Sequence, residues 1–261
     1  MQVRAKTVAL LAEAAARVPS PAYRARLVRR VMELDPNAVL QGVGPTLSRS
    51  PTLEAAPLDL EPEGSLEFED LAGLFASTSL NHGVVGMTIR QLAYVFGTAR
   101  RLPAKRAIEV GRWRGGSTIA IAAGMGPGGK LWSIDVGEKE ARLFGGDRTS
   151  FDGQTQRFVD RFGLDVELLV GDSRTLEVDT GEVDLVLIDG DHTYEGVRND
   201  FERFGRRVRV GGAVLLDDAF PEDHFETHVE SVGRLVREVI ADGDYRLVKS
   251  VDRLAHLART R

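Results

Sequence analysis

From about residue 84 onward, short apolar runs alternate with stretches whose apolar positions recur every three or four residues. The short runs predict strands at 107–110, 130–134, 166–170, 183–188 and 213–216. The longer period predicts helices near 84–98 (Val84, Ile89, Leu92, Ala93, Phe96), 116–124, 150–162, 193–207 and 226–241. Runs such as VDLVLID and GGAVLLDD lack the in–out alternation of a half-solvated strand, so they suit strands covered on both faces of a parallel sheet. Strands and helices taking turns in this way define a doubly wound α/β architecture. The tail differs. Two strand-like runs, 245–251 and 254–258, are joined only by Asp252-Arg253, too short for a crossover, so they predict an antiparallel hairpin on the sheet edge.

The first 80 residues follow no such rhythm. Apolar spacing over 3–18 suggests an amphipathic helix, broken at Val18-Pro19-Ser20-Pro21, with a second helix after it. Glu13 interrupts the apolar stretch, which argues against a secretory signal. Between Pro36 and Pro62, Gly42, Gly44, Pro45, Pro51 and Pro57 predict a long loop. Residues 1–50 carry eight Arg/Lys against three acids, and residues 51–80 carry seven acids with no Lys or Arg. Opposed charge blocks of this kind are solvated faces, or surfaces that pair. The expected organisation is therefore a helical and loop extension over 1–80, serving as lid or oligomer contact, and a ligand-binding domain over 81–261.

Composition narrows the chemistry. The 261 residues carry a net charge of −5, which offers nucleic acid no general basic field. There is no Cys, so disulfides, thiolate nucleophiles and thiolate metal sites are excluded. No apolar run is long enough for a membrane span, and the expected location is cytoplasmic.

Candidate site residues fall at strand ends. Glu109-Val-Gly-Arg-Trp-Arg-Gly-Gly-Ser-Thr118 follows the first strand and opens a helix. Gly111 and its fellow glycines permit a tight turn and close ligand approach, while free helix N–H groups with Ser117 and Thr118 suit a carboxylate or phosphate. Trp113 breaks the G-x-G-x-x-G spacing of dinucleotide folds. Asp135 ends the second strand, where a carboxylate can accept both hydroxyls of a ribose. Asp172 and Ser173 follow the third strand, where they could meet an adenine edge. Asp189 and Asp191 follow the fourth strand, and Asp217 and Asp218 the fifth. Carboxylates gathered at one edge repel unless protonated or neutralised by a cation. With oxygen donors and no thiolates, that cation would be hard: Mg²⁺, or else Mn²⁺ or Ca²⁺.

EVGRWRGGST, the Asp135 strand end, GDS, and above all IDGDHTYEGVRND with LLDD resemble the class I S-adenosyl-L-methionine-dependent methyltransferases, which have a Rossmann-like sheet. Within them the chain is similar to the metal-dependent O-methyltransferases of natural-product sugars, of the macrocin, mycinamicin and novobiocin type. The resemblance covers about residues 80–261. It implies that Glu109, Gly111 and Ser117 meet the methionine part of the cofactor, Asp135 the ribose, and Asp172 with Ser173 the adenine. It implies Asp189, Asp217 and Asp218 as Mg²⁺ ligands, and a homo-oligomer acting on a small, glycosylated acceptor from antibiotic-like biosynthesis. For the general base it offers two positions, Asp191 and His192. An unperturbed imidazole titrates near neutral pH, which favours His192. Rival readings are a catechol-type O-methyltransferase on an aromatic diol, a nicotinamide-dependent oxidoreductase, and a non-catalytic binding protein on the same fold.

Overall fold

The structure is a computed structural model that describes residues 66–68, 71, 87–102, 105–137, 148–219 and 229–261. Of the helical and loop extension expected over 1–80 as lid or oligomer contact, all but residues 66–68 and 71 lies outside the described residues. Apart from 148–150, the described residues belong to one compact unit, formed by 61–71, 85–137 and 151–261.

The element order is α1 (Ile89–Arg101), β1 (Arg106–Val110), α2 (Gly116–Met125), β2 (Lys130–Asp135), α3 (Arg148–Arg161), β3 (Asp165–Val170), β4 (Val183–Ile188), α4 (Tyr194–Arg203), β5 (Val208–Leu216), α5 (Val229–Ala241), β6 (Tyr245–Val251) and β7 (Leu254–Arg259). The strands form one seven-stranded sheet in the order β3-β2-β1-β4-β5-β7-β6. β1 to β5 pair in parallel, and β7 runs antiparallel to both β5 and β6. The doubly wound sheet with its terminal hairpin is thus the architecture the hydrophobic pattern predicts.

Three of the boundary shifts have a local reason. Helix α1 starts at Ile89 rather than near 84, because Thr88 and Gln91 form a capping box. The Thr88 hydroxyl accepts from the Gln91 N–H, and the Gln91 side chain accepts from the Thr88 N–H. Helix α4 stops at Arg203 instead of 207, and a single 3₁₀ turn, Gly205–Arg207, leads into the sheet. Gly205 lies against the Phe201 ring, where a Cβ would come within 2.7 Å. Strand β5 begins at Val208, five residues early, with a register shift against β4. Gly211, at φ +82°, sits in the irregular part of the strand.

Strand β4 is buried along its whole length, as its apolar run requires, whereas β3 is half-exposed at the sheet edge. Ile108, Val110, Val186, Ile188, Val214 and Leu216 share a core with Val197, Phe201 and Phe204 before β5 and with Val232, Leu235 and Val236 of α5. Phe201 and Phe204 are fully buried, each contributing roughly 1.5–3 kcal/mol. Outside this core α1 packs on α2 so closely that a Cβ on Gly124 would stand 2.5 Å from the Phe96 carbonyl oxygen.

β1 lies between β2 and β4, and the chain reverses its direction of progress across the sheet there. The carboxyl ends of β1 and β4 therefore border the crevice where open α/β sheets bind ligands. Gly111 fixes how closely the two ends approach. It has φ +92°, and a Cβ on it would lie 2.0 Å from the Asp189 carbonyl oxygen. Only glycine meets both conditions.

Candidate active site

Two carboxylate centres flank that crevice. At the first, Glu109 of β1 is fully buried. Ser117 donates to its Oε1 at 2.5 Å, and Thr118 and Ser133 donate to its Oε2 at 2.5 and 2.6 Å. Burial raises the Glu109 pKa, while the three hydroxyls and the nearby Arg112 work against that rise. Glu109 thus faces inward and anchors the first turn of α2 to β1 and β2, rather than presenting its carboxylate to the crevice. Ser117 is the hydroxyl it holds. Helix α2 starts after Gly115 in a left-handed conformation, and the cap offers its first amides no side-chain acceptor. Uncapped amides of this kind suit an anionic ligand group.

Asp135 ends β2 as expected, and its carboxylate organises the turn beside it. Its Oδ2 accepts from the Arg112 and Trp113 amides at 2.8 and 2.9 Å, and its Oδ1 from Gly137 at 2.6 Å. These bonds support Trp113 at φ +48°, an unusual backbone for a bulky residue. The Arg114 guanidinium stacks 4.6 Å from the Trp113 ring centroid. Asp172 is turned onto its own neighbour. Arg174 bonds it through side chain and backbone, holding its pKa down at about 2. Ser173 lies beside Asp200, a residue for which the sequence pattern suggests no role. Asp200 is buried on α4, and its Oδ2 has no hydrogen-bond partner among the described residues. Burial raises its pKa to about 6, with the charges of Asp191 and Asp172 adding to the rise.

The second centre gathers Asp189, His192, Asp217 and Asp218, together with two residues from distant parts of the chain. His192 bridges the carboxylates, with Nε2 at 3.3 Å from Asp189 Oδ1 and Nδ1 at 3.2 Å from Asp218 Oδ2. Arg253, in the β6–β7 turn, pairs with Asp218 Oδ1 at 2.6 Å. Gln91 of α1 donates to Asp217 Oδ1 at 2.6 Å. Asp218 has φ +55°, so the chain turns sharply after β5. Burial, then the charges of Asp189 and Asp218, raise the Asp217 pKa to about 8. Burial pulls the His192 pKa down, but its hydrogen bonds to Asp189 and Asp218 and their charges outweigh this and carry it to about 10. The near-neutral titration expected of His192 is therefore displaced, because two carboxylates stabilise the imidazolium.

Asp191 stands apart from this centre. Its Oδ1 accepts from the Thr193 amide at 3.0 Å, and a Cβ on Gly196 would lie 2.4 Å from its Cγ, so it packs at the start of α4. Of the two positions offered for the base, His192 touches the acid cluster and Asp191 caps a turn. As for Mg²⁺, among the described residues no three Asp, Glu or His side chains are arranged to hold one ion. One Asp218 oxygen pairs with Arg253, the other faces the His192 ring, and Asp217 is engaged by Gln91. The donor types suit a hard cation, but as arranged they do not fit one.

Among the described residues no helix is long and apolar enough to cross a membrane. Residues 108–219, the stretch from β1 to just past β5, match the family model described as "Methyltransferase domain". Solved structures share the fold. The O-methyltransferase TomG from Streptomyces achromogenes, involved in tomaymycin synthesis and solved in complex with SAM, is 21% identical with a TM-score of 0.51, over 69% of this chain and 84% of that one. The O-methyltransferase NovP is 19% identical with a TM-score of 0.55, over 69% and 83%. The SAH-bound Podospora anserina methyltransferase PaMTH1 is 15% identical with a TM-score of 0.54, over 79% and 93%.

Proposed function

We propose that this chain is an S-adenosyl-L-methionine-dependent O-methyltransferase acting on a hydroxyl of a small, glycosylated natural product. The observation that carries the reading is the contact at Gly111. It joins the glycine turn of a methyltransferase domain to the acid edge at Asp189. A cofactor seated on the turn and an acceptor lying against the acid edge are then neighbours. Bound there, the cofactor supplies a methyl group on a positively charged sulfur. The amides at the start of α2 bind its carboxylate, and the Asp135 turn orients the remainder. The acid edge holds the acceptor hydroxyl in line, a positioning effect worth on the order of 7–11 kcal/mol.

In this reading the proton leaving the hydroxyl goes to His192. His192 accepts it in its neutral form, so the ring must first lose to solvent the proton that Asp189 and Asp218 stabilise on it. Mg²⁺, which the family resemblance implies, would have to displace Arg253 or His192 from Asp218. We further propose a homo-oligomer, checked by light scattering.

The test begins with calorimetric titration of S-adenosylmethionine and S-adenosylhomocysteine into the full chain; no binding of either removes the reading. Next, a panel of glycosides and catechols is scored by release of S-adenosylhomocysteine. Turnover confined to catechols would replace the glycoside acceptor with an aromatic diol. On the best acceptor, His192→Asn should lower kcat on the order of 100-fold or more, and Asp191→Asn only a few-fold. The reverse order would move the base to Asp191.

A further inference from the structure

The β6–β7 turn is held to the site by more than a two-residue hairpin needs. Asp252 takes φ +51° and accepts from the Thr88 hydroxyl at 2.7 Å, while its other oxygen pairs with Arg90 at 2.9 Å. The Arg253 carbonyl accepts the Ala219 amide at 2.8 Å. These tethers join the turn to the start of α1 and to the loop after β5. Together they deliver the Arg253 guanidinium onto Asp218 Oδ1 at 2.6 Å. His192 Nδ1 faces the other Asp218 oxygen, and its Nε2 faces Asp189. Gln91 comes from the capping box of α1, where its side-chain oxygen is already held by Thr88, so its amide can only donate toward Asp217.

We infer that Arg253 is a resident cation of the acid edge: it takes the place of a divalent ion at Asp218, and the site does not take up Mg²⁺ or Mn²⁺. The physical reason is competition for the same oxygens. Mg²⁺ demands near-octahedral oxygen ligands at about 2.0–2.1 Å. One oxygen of Asp218 faces the Arg253 guanidinium and the other a His192 ring nitrogen, and a guanidinium cannot shed its charge to make way. The catalytic significance rests on the proposed methyltransferase reading: charge that develops on the acceptor oxygen would be balanced by Arg253 and His192. Arg253 acts through Asp218 and is a positioning residue.

The test uses the full chain, Mn²⁺ as an electron-paramagnetic-resonance probe and Mg²⁺ in calorimetry. S-adenosylhomocysteine binding is measured on the same samples. Wild type should leave Mn²⁺ free at micromolar concentrations. Arg253→Ala, which exposes an Asp218 oxygen and removes a nearby positive charge, should bind one Mn²⁺ per chain on the order of 100-fold more tightly than wild type. Arg253→Lys keeps the charge and should behave as wild type. One Mn²⁺ held by the wild type at micromolar concentration overturns the inference, and so does a folded Arg253→Ala that gains no Mn²⁺ affinity. Should Arg253→Ala not fold, Arg253→Gln serves in its place, and the wild-type titration decides independently. Absence of S-adenosylhomocysteine binding would instead remove the methyltransferase reading, leaving the Mn²⁺ result to stand on its own.

Discussion

The two carboxylate centres on either side of the crevice solve the same problem by different means. Glu109 is buried and satisfied by three neutral hydroxyls, all from β2 or the first turn of α2. Asp189 and Asp218 face the His192 ring, and Asp218 also pairs with Arg253. Hydroxyls can stabilise a single buried carboxylate, because each donates a strong bond without adding charge. They cannot offset the mutual repulsion of several carboxylates, for which opposite charge or protonation is needed. The first centre is accordingly local and rigid. The second is assembled from separate parts of the chain, and it presents charge where a reaction can use it.

The contact between the centres gives the largest expected effect. Gly111→Ala combines a positive φ with backbone overlap at Asp189. It should destabilise the protein by about 4 kcal/mol or more and abolish S-adenosylhomocysteine binding. A variant that unfolds in denaturant like wild type and still binds would show that the two ends do not depend on this approach.

Glu109→Leu probes the neutral centre alone. It leaves the hydroxyls of Ser117, Thr118 and Ser133 without their common acceptor, at an expected cost of about 3 kcal/mol in chemical denaturation. Glu109→Gln, which keeps an acceptor oxygen, should cost less. Equal losses for the two would mean that side-chain volume, not hydrogen bonding, is what matters there.

Asp200 belongs to neither type: Asn199 donates to its Oδ1 at 3.4 Å, and its buried Oδ2 has no hydrogen-bond partner among the described residues. This makes it a pH-sensitive carboxyl outside both centres. Its folded pKa of about 6 stands above the ordinary value of 3.8. The folded state therefore binds a proton more tightly than the unfolded one. The resulting stability is fully present below pH 3.8 and is lost as pH rises through 6. The shift corresponds to about 3 kcal/mol. Unfolding free energies measured from about pH 4 to 8 should fall by that much more for wild type than for Asp200→Asn. Parallel curves for the two proteins would remove Asp200 as the cause.

Gln91→Ala gives the smallest effect. It removes the donor to Asp217 and half of the capping box, for about 1–2 kcal/mol. Because α1 supports the acid edge through this bond, the variant should also shift the pH dependence of cofactor binding. A change in stability alone would make Gln91 only a helix cap.

Much of the sheet was legible because apolar runs leave little choice. Strand β4 matches its predicted span of 183–188, and β1 and β2 match within one residue. The burial of β3 was less legible. An edge strand and a central strand can share an apolar run, and only neighbours decide which one is covered. The missed site residues had faint signals. Thr88-x-x-Gln91 has the capping-box pattern, and Asp200 sits on the apolar stripe of Val197, Phe201 and Phe204, where a carboxylate is out of place. Arg253 had none, since nothing local marks a turn arginine as the partner of an aspartate in another strand's loop.

The amino-acid sequence by itself determined the alternation of strands and helices, the hairpin at the end, and the strand-end motifs that carry the chemistry. These depend on contacts within a few residues, or on the bare requirement to bury apolar runs. Only the tertiary structure decided which carboxylates are satisfied inside the protein and which face the crevice. It also decided that His192 rather than Asp191 meets the acid edge, and that Arg253 and Gln91 complete it. Gln91 and Asp217 are separated by 126 residues. The strength of a charge pair is set by distance in space, which the order of residues along the chain does not specify until the sheet has closed.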